Sequence, residues 1–185
     1  MPESFPILDD HFHINRRTSK GPSVVREFMR SGGTHIVLVS LPSWSHEIFP
    51  IRPEEFRPVF EELLTTAEAV RAEGCVCYPV CGVHPAEIGK LCARMSLGDA
   101  EALMCGALDV AAEYITEGKA IGLKSGRPHY PVEPEVWDAS NRVLSHALTL
   151  AGELDCALQI HAESGACADV VWMSDAAGMQ PGRVV

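Results

Sequence analysis

Alternating strand and helix patterns along the whole chain predict an α/β protein of the (β/α)8 TIM-barrel type. It is incomplete here, with about five β/α units and the start of a sixth. Two observations carry this expectation. Short apolar, β-branched runs alternate with amphipathic helical stripes, and a series of β–α units with right-handed crossovers gives either an open doubly wound sheet or a closed barrel. Polar residues then stand at the C-terminal ends of strands one, three, four and five, which favours the barrel, where the site is assembled from those ends. Eight units need about 250 residues, so 185 residues supply only part of the ring.

Residues 5–13 read as a first strand that turns polar in Asp9-Asp10-His11-Phe12-His13. Residues 22–31 form a short helix, stopped by Gly32-Gly33. Residues 34–40 are a continuous apolar run, the pattern of a parallel strand buried on both faces. A helix over 53–73 places Phe56, Val59, Phe60, Leu63, Leu64, Ala67 and Val70 in one stripe, and Gly74 closes it. The third strand spans 75–83, and a helix over 97–117 ends at Gly118. A short fourth strand over 119–124 leads into the loop 126–131 and a helix over 134–154, with Val136, Val143, Ala147, Leu150 and Leu154 on one side. The fifth strand is 156–161, the fifth helix 165–177, and 182–185 begins a sixth strand. No linker or repeat interrupts the series, so residues 1–185 are expected to form a single domain. The apolar pattern is still running at Val184-Val185, which reads as a barrel lacking its C-terminal strands.

The formal charge of −10 argues against a general attraction for nucleic acid, although a local basic patch is compatible with it. The N-terminus has no basic region followed by an apolar one, and runs such as 36–39 are far too short to cross a bilayer. A cytoplasmic protein without membrane contact is expected. Seven cysteines, an odd number without a repeated C-x-x-C spacing, make a disulfide framework unlikely. Cys75, Cys77 and Cys81 lie at strand-like intervals and read as buried reduced thiols.

In Asp9-x-His11-x-His13, strand alternation puts three side chains on one face. Two imidazoles there grip one divalent cation, and Asp9 is placed to orient one of them from the second shell. His161 ends the fifth strand, where a barrel brings it opposite the first. His84, in Gly82-Val-His-Pro85, is a candidate contact to the substrate or its leaving group. Arg127, His129 and Tyr130, after strand four, are candidates to bind an anionic group, or else to stabilise their loop. Glu163 reads as a second-shell group or a helix cap. His35, His46 and His146 have no supporting context and read as structural or solvent-exposed.

The Asp-x-His-x-His opening, the Gly-Val-His-Pro turn and a histidine ending strand five, in this order and spacing, resemble the amidohydrolase superfamily, and within it the TatD-related metal-dependent hydrolases. The resemblance implies a (β/α)8 barrel and one or two divalent metal ions (zinc, manganese or magnesium). It also implies a metal-bound hydroxide that attacks an ester or amide, with His11 and His13 on one metal and His161 on the other. A further histidine and a catalytic aspartate would lie beyond Val185.

The chain departs from that family at strand four. TatD-related proteins usually carry a metal-bridging glutamate there, whereas this chain reads Ala120-Ile-Gly-Leu-Lys-Ser-Gly126. The related phosphotriesterase and dihydroorotase branches carry a lysine at this point, modified by carbon dioxide to a carbamate. Lys124 is therefore a candidate metal ligand in carbamylated form, or an unmodified lysine that binds a substrate anion or pairs with a carboxylate. The expected function is a metal-dependent hydrolase of a small ester or a short oligonucleotide, first a phosphodiesterase or deoxyribonuclease. The alternatives are a phosphotriesterase- or lactonase-like enzyme with carbamylated Lys124, or a non-catalytic metal-binding fragment. Oligomeric state is not legible.

Overall fold

The computed structural model describes residues 5–17, 20–162 and 167–185. Five strands, β1 (Leu8–Phe12), β2 (His35–Val39), β3 (Val76–Gly82), β4 (Gly122–Gly126) and β5 (Ala157–His161), alternate with helices. The longer helices are α1 (Val25–Arg30), α2 (Arg57–Ala72), α4 (Leu97–Thr116), α5 (Pro134–Glu153) and α6 (Ala168–Ala176), and a short α3 (Glu87–Leu91) follows β3. All strand pairs are parallel and their spatial order is the sequence order, β1-β2-β3-β4-β5. A doubly wound sheet reverses its order partway, whereas a barrel does not. The sheet also curls. The Gln159 amide of β5 donates to the Asp10 carbonyl of β1, yet a flat sheet would hold these outer strands roughly 19 Å apart at about 4.8 Å per step. The fold is thus part of a (β/α) barrel, as the sequence predicts.

Strand parity sorts the residues into two faces. Ile36, Leu38, Cys77, Cys81, Leu123 and Leu158 face the helices and are almost fully buried. They pack with Phe60, Val70, Leu108, Leu144 and Leu148 in one continuous core. The expected stripe of α2 is the buried face of that helix, with Phe60 set edge-on to Tyr114 of α4 at 5.7 Å between ring centres. Val80, Gly82, Gly122, Lys124, Ala157, Gln159 and His161 alternate with the helix-facing residues and so line the concave face. Cys75, Cys77, Cys81 and Cys156 are buried free thiols, and desolvation pushes the Cys77 and Cys81 thiols up to about 12.

Two local differences from the sequence expectation have physical causes. First, β4 begins at Gly122, not near Lys119, because the Lys119 and Ala120 N–H groups both bond back to the Tyr114 carbonyl and close α4. Second, β1 is bulged: Asp9 pairs with Ile36 and Phe12 with Leu38, three residues against two. Asp9 therefore shares the helix-facing side with Phe12, which packs on Phe28 of α1. Simple alternation does not place Asp9 beside His11 and His13. The fifth helix expected over 165–177 is described as α6 over Ala168–Ala176. The expected sixth strand is present as a parallel bridge of Val184 to Leu158, with the Leu158 and Ile160 N–H groups donating to the Arg183 and Val185 carbonyls, each at 2.8 Å. Among the described residues no helix is long and apolar enough to cross a membrane.

Candidate metal centre

Five histidines gather at the C-terminal ends of the strands around one lysine. His11 and His13 come from the end of β1, and their Nε2 atoms lie 3.0 Å apart. His161 ends β5; its Nε2 lies 2.9 Å from Nδ1 of His129, in the loop after β4. His84, two residues beyond β3, has its ring centre 4.5 Å from that of His161. Lys124 of β4 is fully buried among them, and its Nζ has no hydrogen-bond partner among the described residues.

Two glycines bring these elements together. A Cβ on Gly82 would lie 2.0 Å from the Lys124 carbonyl oxygen, and one on Gly126 would lie 2.0 Å from the His161 carbonyl oxygen. Only glycine lets β3, β4 and β5 approach this closely where they carry His84, Lys124 and His161. Gly82 was noted in sequence only as part of its motif, and Gly126 only as a loop residue.

The electrostatics favour the neutral form of four of these imidazoles. Burial, and next the Lys124 charge, lower the pKa of His11 and His161; the same causes in the same order lower His13 to about 4 and His84 to about 3. Burial alone lowers Lys124 to about 8. Hydrogen bonds then assign tautomers. Nδ1 of His13 lies 3.0 Å from the Val39 carbonyl, which can only accept, so Nδ1 carries the proton and Nε2 keeps its lone pair. His84 is the reverse. Its Nδ1 accepts from the Ala86 N–H at 3.1 Å, so its proton sits on Nε2. His13 thereby presents a free nitrogen lone pair and His84 an N–H donor.

The donor chemistry fits a divalent cation. Two nitrogens bound cis at about 2.0–2.1 Å stand roughly 2.8 to 3.4 Å apart, depending on coordination geometry. The 3.0 Å between His11 and His13 falls within that range. Among the described residues no group of three or more His, Cys, Asp or Glu side chains is already arranged around one point. The donors instead form two histidine pairs, with the unpartnered lysine amine beside them.

Other expected site residues fall elsewhere. Asp9 accepts the His11 backbone N–H at 3.0 Å through Oδ1, bracing the bulge rather than reaching an imidazole. Arg127, expected as an anion contact, is only 1% exposed. It pairs with Asp169, approaches Asn141 Oδ1 at 3.4 Å and stacks its guanidinium 4.8 Å from the Trp137 ring centre. It ties the loop after β4 to α5 and α6, the stabilising half of its expected role. Tyr130 is exposed and packs edge-on against His129 at 5.3 Å. Glu163 lies outside the described residues. His46 is buried beside Glu62 at 2.9 Å, His146 pairs with Asp109, and His35 stacks on Tyr78, all away from the centre.

Sequence reasoning missed three groups. Gln159 sits two residues before His161, so period two alone puts it on the same face. Trp44 stands edge-on to His84 at 6.1 Å, and Glu87, buried, accepts the Ser43 N–H and Oγ–H. The segment after β2 that carries Trp44 and Ser43 has no pattern to announce it.

The chain matches the family described as TatD-related DNase over residues 8–185. It is 34% identical over 189 residues to an uncharacterised protein of Methanocaldococcus jannaschii, covering 99% of this chain and 65% of that protein. A PTE-like lactonase mutant from Deinococcus radiodurans superposes with a TM-score of 0.58 at 16% identity, covering 96% of this chain and 57% of that one. A mutant organophosphorus hydrolase from the same organism gives 0.55 at 15% identity, covering 98% and 56%. At that identity the likeness concerns the fold. The chain therefore spans less than two thirds of the length of these relatives.

Proposed function

Because the chain belongs to the TatD-related DNase family, we propose that it carries most of the metal site of a metal-dependent hydrolase of ester bonds, phosphodiesters first. The observation behind this is the pair of histidine pairs that meet around an unpartnered, buried Lys124 at the strand ends. His11, His13 and His161 would hold one or two divalent cations, with zinc, manganese or magnesium as candidates. A cation bound there supplies a water of lowered pKa and polarises the scissile group.

The chain's own residues do the rest. His13 presents a bare Nε2 because Val39 fixes its tautomer. His84 presents an Nε2–H, suited to donate to a phosphoryl or leaving-group oxygen. Gln159 ties β5 to β1 and so fixes the distance across the centre. The acidic chain suits short oligonucleotides or small esters better than long duplexes.

The unsatisfied Lys124 amine favours a second reading, with phosphotriesters or lactones as substrates. A pKa of about 8 leaves roughly a tenth of the amine neutral at pH 7. The neutral nitrogen's lone pair attacks the carbon of carbon dioxide and forms the N–C bond. One C=O electron pair moves onto oxygen, and the nitrogen releases a proton to solvent. The product is an anionic carbamate where an ammonium stood, which relieves the repulsion between lysine and cation.

The test is metal content and turnover of the full chain loaded with zinc or manganese, on phosphodiester, phosphotriester and lactone substrates. Phosphodiester hydrolysis that vanishes in His11→Ala and His161→Ala, together with lost metal, is expected. Unchanged metal in both variants would contradict the proposal. For the carbamate, Lys124→Ala should lose metal and recover it in part with short carboxylic acids; full metal retention removes that reading.

A further inference from the structure

From the contact between His129 and His161 we infer that His129 is itself a metal ligand, forming with His161 a second two-nitrogen site opposite the His11–His13 pair. The inference rests on the metal-dependent reading above and assigns a new role to a residue expected only to bind substrate or stabilise its loop. Nδ1 of His129 lies 2.9 Å from Nε2 of His161, and the first pair stands 3.0 Å apart. Both separations suit cis nitrogen ligands of one cation. The two pairs mirror each other in origin as well. Each joins a strand-end histidine to a neighbour, and the Lys124 charge acts on both pairs while its Nζ has no hydrogen-bond partner among the described residues.

The position of His129 is built. Gly126 lets the end of β4 pass directly against His161, and the Arg127 N–H donates to the His161 carbonyl at 2.9 Å, pinning the loop to β5. The Arg127 side chain anchors the same loop on Asp169 and Trp137. Two residues on, the His129 ring is flanked edge-on by Tyr130 and by His161, at 5.3 and 5.0 Å between centres. His84 is the other ring beside His161, but its proton-bearing Nε2 makes it a donor, so His129 is the available partner for a cation on His161.

A direct bond to metal is separable from a hydrogen bond between two imidazoles. The probe is cobalt(II) titrated into the full 185-residue chain, read by equilibrium dialysis and absorption. The wild type should take up about two equivalents and His129→Ala about one, since each pair is a site. His129→Cys should regain the second equivalent and add a near-ultraviolet thiolate-to-cobalt charge-transfer band absent from the wild type. Two equivalents retained in His129→Ala overturns the inference. So does a Cys variant without the band, whatever its stoichiometry, because ligation must place the sulfur on the metal. No cobalt uptake by the wild type would instead defeat the metal-dependent reading itself.

Discussion

His84 is the residue whose chemistry is most sharply set by one hydrogen bond. With Nδ1 filled by the Ala86 N–H, it offers only a proton, and burial with the nearby Lys124 charge holds it neutral down to about pH 3. Loss of one such donor to a developing oxyanion lowers turnover by about 10² to 10³-fold. His84→Ala should therefore lower kcat by that order while cobalt stoichiometry stays at the wild-type value; a fall in bound metal would recast His84 as a ligand. Glu87 gives a stability prediction of opposite character. Burial raises its carboxyl from 4.5 to about 7 despite the two Ser43 donors. Between those pH values the unfolded chain releases a proton that the folded one keeps, so stability falls as pH rises through the window and levels off above it. The upper bound is about 3 kcal/mol, at about 1.36 kcal/mol per unit. Urea unfolding at pH 4.5 and 7.5 should show the wild type losing stability relative to Glu87→Gln over that range. At this scale the histidines were legible, because type, spacing and strand-end position converge on them. Ser43 and Trp44 were not, since a 3-10 turn over Ser43–His46 leaves no periodicity to read.

The elements were legible wherever a period was sustained, and failed to be where one residue broke it. The stripe of α2 and the β-branched run of β2 appear as expected. The extra residue in β1 turned Asp9 to the far side, because alternation counts positions and a bulge changes the count. Glycine carries the same lesson for β4. A Cβ at Gly126 would meet the His161 backbone at 2.0 Å, so β4 and β5 must part for any side chain there. Gly126→Ala should cost about 1–3 kcal/mol or more, as overpacking does, and should weaken metal binding by shifting His161. Gly98, in the first turn of α4, has nothing within 4 Å of its would-be Cβ. Gly98→Ala should instead stabilise by about 0.5–1 kcal/mol. Chemical denaturation of the two variants side by side checks both signs, and equal destabilisation would show that crowding at Gly126 is not the cause.

Over the whole molecule, sequential parallel strands follow from the repeated β/α pattern, but the degree of curl does not. It is set by contacts between residues far apart in sequence, such as Gln159 with Asp10, 149 positions away. The centre lies across the same gap: His11 and His13 stand on β1 and His161 on β5, near enough that His11 lowers the pKa of His161 and His161 that of His13. A cation held by the histidines on either side of this gap would clamp the curl, because the unfolded chain does not bring its ligands together. Binding that excludes the unfolded chain stabilises by about 2.7 kcal/mol at a hundredfold excess over Kd. For a chain of this size each kcal/mol raises Tm by about 2–4 °C, so zinc or manganese should raise Tm by roughly 5–10 °C, and chelation should reverse it. His13→Ala and His161→Ala, on opposite sides of the gap, should each lose a substantial part of the shift. His146→Ala, on the outer surface beside Asp109, should leave it intact. A shift undiminished in both inner variants would mean that the cation stabilises from somewhere other than the strand ends.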